Sequence, residues 1–282
     1  MEYLTLNNGL SVPAIGFGTY KAAVEEGETV LQNAIRTGYR YFDTASFYEN
    51  EEILGKALRE SGLPRQEFFV ASKVWKTEMG YENTKAALDR SLKRLGMDYL
   101  DFYLVHWPKA DLEDTQWAFR LSETWRAMED AQKAGKIRGL GVSNCLPHHL
   151  EVILESGTIM PAIDQIEFHP GYLQLETVEK CQSLGIQVQA WSPMGRARVL
   201  QDALLCEMAE KYGVSTAQLC LKFARQMQVM PLPKATAPER MLQNLSLDGF
   251  TISAEDVEAL KNMPRTGWSG EHPDRERVPA NS

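Results

Sequence analysis

Gly16-Phe17-Gly18-Thr19-Tyr20, near the start of the chain, decides between two folds. Outward from it, short β-rich runs ending in polar residues alternate with longer stretches that carry apolar residues at helical spacing, from about residue 14 to residue 247. The runs predict strands over Ala14–Phe17, Tyr41–Asp43, Phe68–Lys73, Asp101–His106, Ile137–Ser143, Ala162–Glu167, Gln187–Trp191 and Val229–Pro233. Most are apolar without strict alternation, the pattern of parallel strands covered on both faces. Such a chain builds an open doubly wound sheet or a closed barrel. The open sheet normally announces its nucleotide site with G-x-G-x-x-G after the first strand. Here Gly16 and Gly18 have no third glycine to follow them. Eight strands with helices between them then predict an α/β fold of the (β/α)8 barrel type.

The intervening helices are read from shared faces: Val30, Leu31, Ala34 and Ile35; Ile53, Leu54, Ala57 and Leu58; Leu88, Ser91, Leu92 and Leu95. Gly38, Gly62, Gly96, Gly135, Gly157, Gly185 and Gly213 fall in step with the alternation, each placed to close a helix in the left-handed conformation. Three pieces lie outside it. Tyr3–Leu6 and Leu10–Val12 flank the turn Asn7-Asn8-Gly9 and predict an N-terminal β-hairpin closing the barrel bottom. Asp202–Tyr212 is an additional helix before the seventh barrel helix, Thr216–Gln226, and Ala254–Met263 is a second addition after the eighth. From Pro264 to Ser282 the chain is rich in Pro, Gly and charge and is expected to run over the surface. With no linker, repeat or low-complexity block, residues 1–282 read as one domain.

Composition narrows the function. Lys plus Arg is 30 and Asp plus Glu is 38, a formal charge of −8. That balance argues against a general nucleic-acid or anionic-membrane binder and leaves room for a local basic patch. No apolar run approaches the roughly 20 residues of a membrane span, and Met1-Glu2-Tyr3-Leu4-Thr5 does not begin a secretory signal. Cys145, Cys181, Cys206 and Cys220 form no C-x-x-C pair and read as buried, reduced thiols. A cytoplasmic monomer is the expectation.

In a barrel of this kind the chemistry sits at the C-terminal ends of the strands. Those ends present Asp43, Lys73 and His106, with Tyr48 in the loop after the second strand. Further ends present Ser143-Asn144, Gln165 and Glu167, Trp191-Ser192 and Lys234. Taken singly, each of the first four has a bland explanation: a cap, a packing residue, a strand-end lysine, a structural histidine. Their arrival at one predicted face is what carries weight. A buried Lys73–Asp43 pair needs further hydrogen bonds, and Tyr48 can supply one. A neighbouring ammonium is expected to lower the phenol toward the working pH, which suits a general acid. His106 can donate a hydrogen bond to a carbonyl oxygen.

The segments Asp43-Thr44-Ala45 to Tyr48-Glu49-Asn50-Glu51, Ser72-Lys73-Val74-Trp75 and Tyr103-Leu104-Val105-His106-Trp107-Pro108 resemble the aldo-keto reductases. So do Gly139-Leu140-Gly141-Val142-Ser143-Asn144, Gln165-Ile166-Glu167-Phe168-His169-Pro170, Trp191-Ser192-Pro193-Met194-Gly195 and Leu232-Pro233-Lys234, in the family's order from Leu10 to Asn244. The tail Gly267-Trp268-Ser269-Gly270-Glu271-His272-Pro273-Asp274 is similar to that of bacterial members, the type of 2,5-diketo-D-gluconate and glyoxal reductases. The resemblance implies reduction of an aldehyde or ketone by NADPH (oxidised form NADP+), with Asp43, Tyr48, Lys73 and His106 as a catalytic tetrad. It implies Ser143, Asn144 and Gln165 at the nicotinamide carboxamide and the Trp191 indole stacked on the ring, where Tyr is commoner. Ser192, Met194 and Gly195 would line the pyrophosphate, and Gly18 and Thr19 belong to the same cofactor site. Because Arg196 to Leu200 is short, no long loop is expected to fold over it.

Lys234 and Arg240 stand at the family's positions for the adenosine 2′-phosphate, and two cations facing a dianion favour NADPH over NADH. The pattern departs at Ala235, where Ser is common, and at Gln243, where Glu is; Thr236 offers a hydroxyl nearby, and Asn244 keeps the adenine-contact identity. Tyr20, Phe47, Trp75 and Trp107, with the tail near Trp268, should form an aromatic pocket for small carbonyl substrates. Two other functions compete. A metal-dependent hydrolase using Asp43, His106, Glu167 and His169 would want His-x-His on the first strand, which Ile15-Gly16-Phe17 does not provide, so no metal is expected. A barrel that binds NADPH in a mainly regulatory role is the other.

Overall fold

The computed structural model describes residues 2–22 and 27–278. Residue 1 and the last four residues of the expected tail, 279–282, lie outside that range.

The hairpin comes first. β1 (Tyr3–Thr5) and β2 (Ser11–Pro13) pair antiparallel around Asn7-Asn8-Gly9, where the Gly9 N–H donates to Leu6 O. Leu6 and Val12 are buried with Tyr41, Phe102, Leu104 and Ile163, so the hairpin plugs one end of the barrel, and Asn7 Nδ2 ties it to Pro161 O at 2.8 Å.

Eight parallel strands follow: β3 (Phe17–Gly18), β4 (Tyr41–Asp43), β5 (Phe69–Val74), β6 (Leu100–Val105), β7 (Ile137–Ser143), β8 (Ile163–Glu167), β9 (Gln187–Trp191) and β10 (Met230–Leu232). Each pairs with its sequence neighbours, the order of a (β/α)8 barrel. The seam between first and last strand is thin. It is closed by Gly16 N–H to Pro231 O at 3.1 Å and Gly18 N–H to Pro233 O at 3.0 Å. A Cβ on Gly16 would lie 2.6 Å from both Leu232 Cδ2 and Tyr41 Cδ1, and one on Gly18 would lie 3.0 Å from Leu232 O. These glycines exist so that two strands can touch. The first strand is therefore shorter and later than the expected Ala14–Phe17, because Ala14 and Ile15 lead in from the hairpin rather than pair in the barrel.

Among the described residues ten α-helices surround the sheet: α1 (Gly27–Thr37), α2 (Glu51–Glu60), α3 (Tyr81–Leu95), α4 (Trp117–Lys133), α5 (Pro147–Ser156), α6 (Leu175–Ser183), α7 (Ala203–Tyr212), α8 (Thr216–Gln226), α9 (Pro238–Leu245) and α10 (Ala254–Lys261). Two of them, α7 and α10, are the additions expected beyond the eight barrel helices. Their starts are fixed by side chains: Asp202 accepts from the N–H groups of Leu204 and Leu205, and Ser253 accepts from the Asp256 N–H. Six of the seven helix-closing glycines have positive φ. Gly157 does not; its φ is −90° and ψ 164°. What it needs is room, since a Cβ there would lie 2.6 Å from Trp125 Cδ1. Cys145, Cys181 and Cys220 are buried free thiols, whereas Cys206 is only half-buried.

The tail is irregular, as expected, but it is not merely superficial. Ser269 is buried, donating its N–H to Glu167 Oε1 at 2.9 Å and its hydroxyl to Glu167 Oε2 at 2.6 Å, so the tail is stitched to the end of β8. Among the described residues no helix is long and apolar enough to cross a membrane.

Candidate active site

Asp43 ends β4, Lys73 lies near the end of β5, and His106 follows β6 directly. Tyr48 closes a 3-10 turn, Ser46–Tyr48, and a buried side-chain network sets that turn. Thr44 Oγ1 donates to Asn50 Oδ1 at 2.6 Å, and Asn50 Nδ2 donates to Thr19 O at 2.9 Å, while Ser46 Oγ donates to Lys73 O at 3.2 Å. Asn50, absent from the sequence-based candidates, is thus the pin that locates the loop.

The structure brings the four together. Lys73 is fully buried; its ammonium donates to Asp43 Oδ1 at 2.6 Å, Thr44 O at 3.0 Å and the Tyr48 hydroxyl at 3.3 Å. Asp43 Oδ2 accepts from Gln165 Nε2 at 2.8 Å, so both carboxylate oxygens are engaged. The His106 ring lies edge-on to those of Tyr48 and Trp75, at centroid distances of 5.5 and 5.0 Å.

The electrostatics correct one expectation. Burial, reinforced by the Asp43 carboxylate, pushes the Tyr48 phenol well above its ordinary value rather than down toward neutrality. Desolvation wins because the ammonium's field is already spent on Asp43 at 2.6 Å. Burial likewise lowers Lys73 despite that pairing. It drives His106 well below its ordinary value, with the Lys73 charge adding to the effect. At neutral pH the site therefore holds a protonated phenol and a neutral imidazole.

These side chains open onto a cleft of about 690 Å³ at the C-terminal ends of the strands. Of the cofactor candidates, Gly18, Ser143, Asn144, Gln165, Trp191, Ser192, Met194 and Lys234 line it. Thr19 and Gly195 are buried. Ala235 and Asn244 are buried too, whereas Thr236, Arg240 and Gln243 are exposed, and none of these five is in the cleft wall. Asn144 is heavily committed: Nδ2 donates to His106 O at 2.9 Å and to Ser143 Oγ at 3.2 Å, and Oδ1 accepts from Trp191 Nε1 at 2.8 Å. It therefore holds the His106 backbone and orients the indole at once. Of the pocket candidates, Tyr20, Phe47, Trp75 and Trp107 line the cleft, with Phe47 and Trp75 stacked at 3.9 Å. Trp268 does not; it stacks on Tyr172 at 5.5 Å.

Four charged residues in the wall, Lys21, Arg196, Glu271 and Arg277, were not singled out from the sequence. Arg196, directly after Gly195, was within reach of that reading; Glu271 and Arg277 come from a tail whose path has no local signal. A shallower hollow of about 660 Å³, between Asp111, Asp114 and Arg120, shares no lining residue with the cleft and is walled by residues 111–115 and by Arg120 of α4. The hydrolase set is not assembled: Glu167 is bound to Ser269, and the one His/Asp group among the described residues close enough to share an ion is His148, His149 and Asp274.

Comparison with known proteins agrees with this geometry. The pattern of the "Aldo/keto reductase family" matches residues 14–264. The chain is 41% identical to a glyoxal reductase of Bacillus subtilis over 276 residues, covering 97% of this chain and 96% of that protein. It is 36% identical to an aldehyde reductase of Saccharomyces cerevisiae, with 93% and 90% covered. Among solved structures, a Bombyx mori aldo-keto reductase in complex with NADP superposes with a TM-score of 0.86 at 31% identity, covering 99% of this chain and 95% of that one. The chain belongs to the aldo/keto reductase family, and its fold is that family's (β/α)8 barrel.

Proposed function

We propose that this protein reduces small aldehydes and ketones to alcohols at the expense of NADPH, with Tyr48 giving the proton. The observation that carries the reading is the contact of the Lys73 ammonium with both Asp43 and the Tyr48 hydroxyl at the floor of an aromatic cleft. Uncommitted groups in the wall suit a nicotinamide dinucleotide. Gln165 uses its Nε2 within the barrel while its side-chain Oε1 makes no hydrogen bond among the described residues; Lys234 in the wall, and Arg240 outside it, are exposed cations without an ion pair there. Ser143, Asn144 and Gln165 would hold the carboxamide end and Trp191 the ring. Gly18, Thr19, Ser192, Met194 and Gly195 would flank the phosphates, and Lys234, Ala235, Thr236, Arg240, Gln243 and Asn244 the adenosine end. Reduced nicotinamide bound there supplies the hydride.

The protein's own residues manage the oxygen. A carbonyl oxygen between Tyr48 and His106 accepts a hydrogen bond from each. Among the described residues the buried His106 Nδ1 has no partner, which favours the bare nitrogen there and the N–H on Nε2. Being neutral, the imidazole polarises the oxygen without competing to protonate it. As negative charge grows on that oxygen, the phenol's proton moves to it and the Lys73 ammonium stabilises the phenolate left behind. Asp43 and Gln165 keep the ammonium in place throughout.

The substrate follows from the walls and from kinship. Tyr20, Phe47, Trp75 and Trp107 offer ring faces and few hydrogen bonds, and one relative is named a glyoxal reductase. Mixing the purified chain with NADPH and a small dicarbonyl in a stopped-flow spectrometer tests the reading. NADPH consumption dependent on the carbonyl is expected. Tight NADPH binding without turnover on any carbonyl would favour the regulatory alternative.

A further inference from the structure

The loop after β9 is held in an unusual shape. Ser192, Arg196 and Ala197 all have positive φ, at 49°, 55° and 68°, alongside Gly195 at 54°. Left-handed backbone costs a non-glycine residue roughly 1–2 kcal/mol, and such strain collects where a loop must present something to a ligand. What this loop presents is Arg196. Its guanidinium sits 5.7 Å from the centroid of the Trp191 ring, at the wall of the cleft.

A tail carboxylate meets it there. Glu271 Oε1 lies 3.8 Å from Arg196 Nη2 and 3.5 Å from Arg277 Nε. Both distances exceed a good hydrogen bond, and the pairs are partly exposed, so each is worth only about 0–1 kcal/mol. Yet the carboxylate is not there by wandering. The tail is fixed on one side by Ser269 on Glu167 and on the other by Asp274, which accepts from Lys109 at 2.8 Å. A strap anchored at both ends thus delivers one weakly held negative group to a guanidinium. Among the described residues, charge in the cleft wall is otherwise lopsided: Lys21, Lys234, Arg196 and Arg277 face a single carboxylate, Glu271, once Asp43 is paired with Lys73.

We propose that Arg196 is a cofactor-binding residue that receives the pyrophosphate of the dinucleotide, and that Glu271 is an internal anion occupying Arg196 until the pyrophosphate displaces it. The inference rests on the NADPH reading above. A diphosphate offers charge-assisted, forked hydrogen bonds that the carboxylate at 3.8 Å does not make. Glu271 retains Arg277 as a partner after the exchange, so release does not strand its charge. In the free protein Glu271 thus offsets one of the positive charges at the mouth and sets a threshold that weaker anions fail to cross.

Calorimetric titration of wild type, Glu271→Gln, Arg196→Met and the double variant with NADPH and with 2′-AMP, which has no pyrophosphate, provides the test. Glu271→Gln is expected to tighten NADPH about two- to fivefold, the inverse of one weak surface pair, and to leave 2′-AMP unchanged. Arg196→Met is expected to weaken NADPH by about tenfold or more, and in its background Glu271→Gln should have no effect. Unchanged or weakened NADPH binding in Glu271→Gln overturns the placeholder role, as does equal tightening of 2′-AMP or tightening that persists without Arg196. A wild-type chain that fails to bind NADPH at all overturns the cofactor reading first, and this one with it.

Discussion

The Lys73 ammonium and the Asp43 carboxylate lie 2.6 Å apart with almost no exposure to water. A buried pair is costly to assemble and worse to halve: removing one partner typically costs about 3–5 kcal/mol. Lys73→Met should therefore lower both turnover and the denaturation midpoint. Asp43→Asn should leave the ammonium easier to deprotonate, because burial already lowers it and Asp43 is the largest opposing influence. Equal stability of wild type and Lys73→Met in urea would show that the pair is not buried in solution.

Tyr48→Phe keeps the ring packed against Tyr20 and His106 and deletes only the hydroxyl. Turnover is expected to fall about 10²-fold or more while NADPH affinity stays near wild type. Undiminished turnover would remove Tyr48 from the proton-donor role.

The pH profile follows from the same site. A phenol raised above its ordinary value stays protonated, and an imidazole lowered below its ordinary value stays neutral. The kcat/KM for carbonyl reduction should accordingly be level from about pH 6 to about pH 9, around the reference values of the two groups. A decline centred near neutrality would mean that cofactor or substrate acidifies Tyr48 after all.

Arg240→Ala should raise the KM for NADPH far more than that for NADH, because only the former carries a 2′-phosphate for an exposed guanidinium to pair with. Parallel changes for both coenzymes would move the phosphate contact elsewhere.

Asp164, on the outer face of β8, is buried against Cys181 Sγ at 3.7 Å, and burial pushes its carboxyl up to about 8. The folded protein then binds one more proton than the unfolded chain between about pH 4 and about pH 8. Stability from this group is present below that window and is lost as pH rises through it. The unfolding free energy of wild type minus that of Asp164→Asn is expected to fall by a few kcal/mol between pH 5 and pH 8.5. A difference independent of pH would show that Asp164 is ionised in the fold.

The sequence was most readable where short-range physics governs. Strand β7 (Ile137–Ser143) and strand β9 (Gln187–Trp191) match their expected bounds residue for residue, because each is a short run framed by a glycine turn before it and a polar serine at or just after its end. Gly157 shows the limit: spacing marks a glycine, but only the packing of Trp125 shows that it is needed for space rather than for positive φ. The four strand-end residues were legible because barrel topology fixes where strand ends meet. Glu271 was not, because its position depends on Ser269 finding Glu167 across 102 residues of chain. The direction of the Tyr48 shift is not legible for a related reason: a charge can be counted in a sequence, but the water removed from around it cannot.

The thin seam between β3 and β10 has a consequence for how the protein comes apart. A cylinder unrolls where its sheet is narrowest, and here two backbone hydrogen bonds, donated by Gly16 and Gly18, are what must let go first. Gly18 and Lys234, on opposite banks of that gap, both face the cleft, so a dinucleotide lying across them would act as a clasp. Deuterium uptake at Gly16 and Gly18 should slow when NADPH is added, making the enzyme's mechanical weak point the place where its coenzyme confers durability.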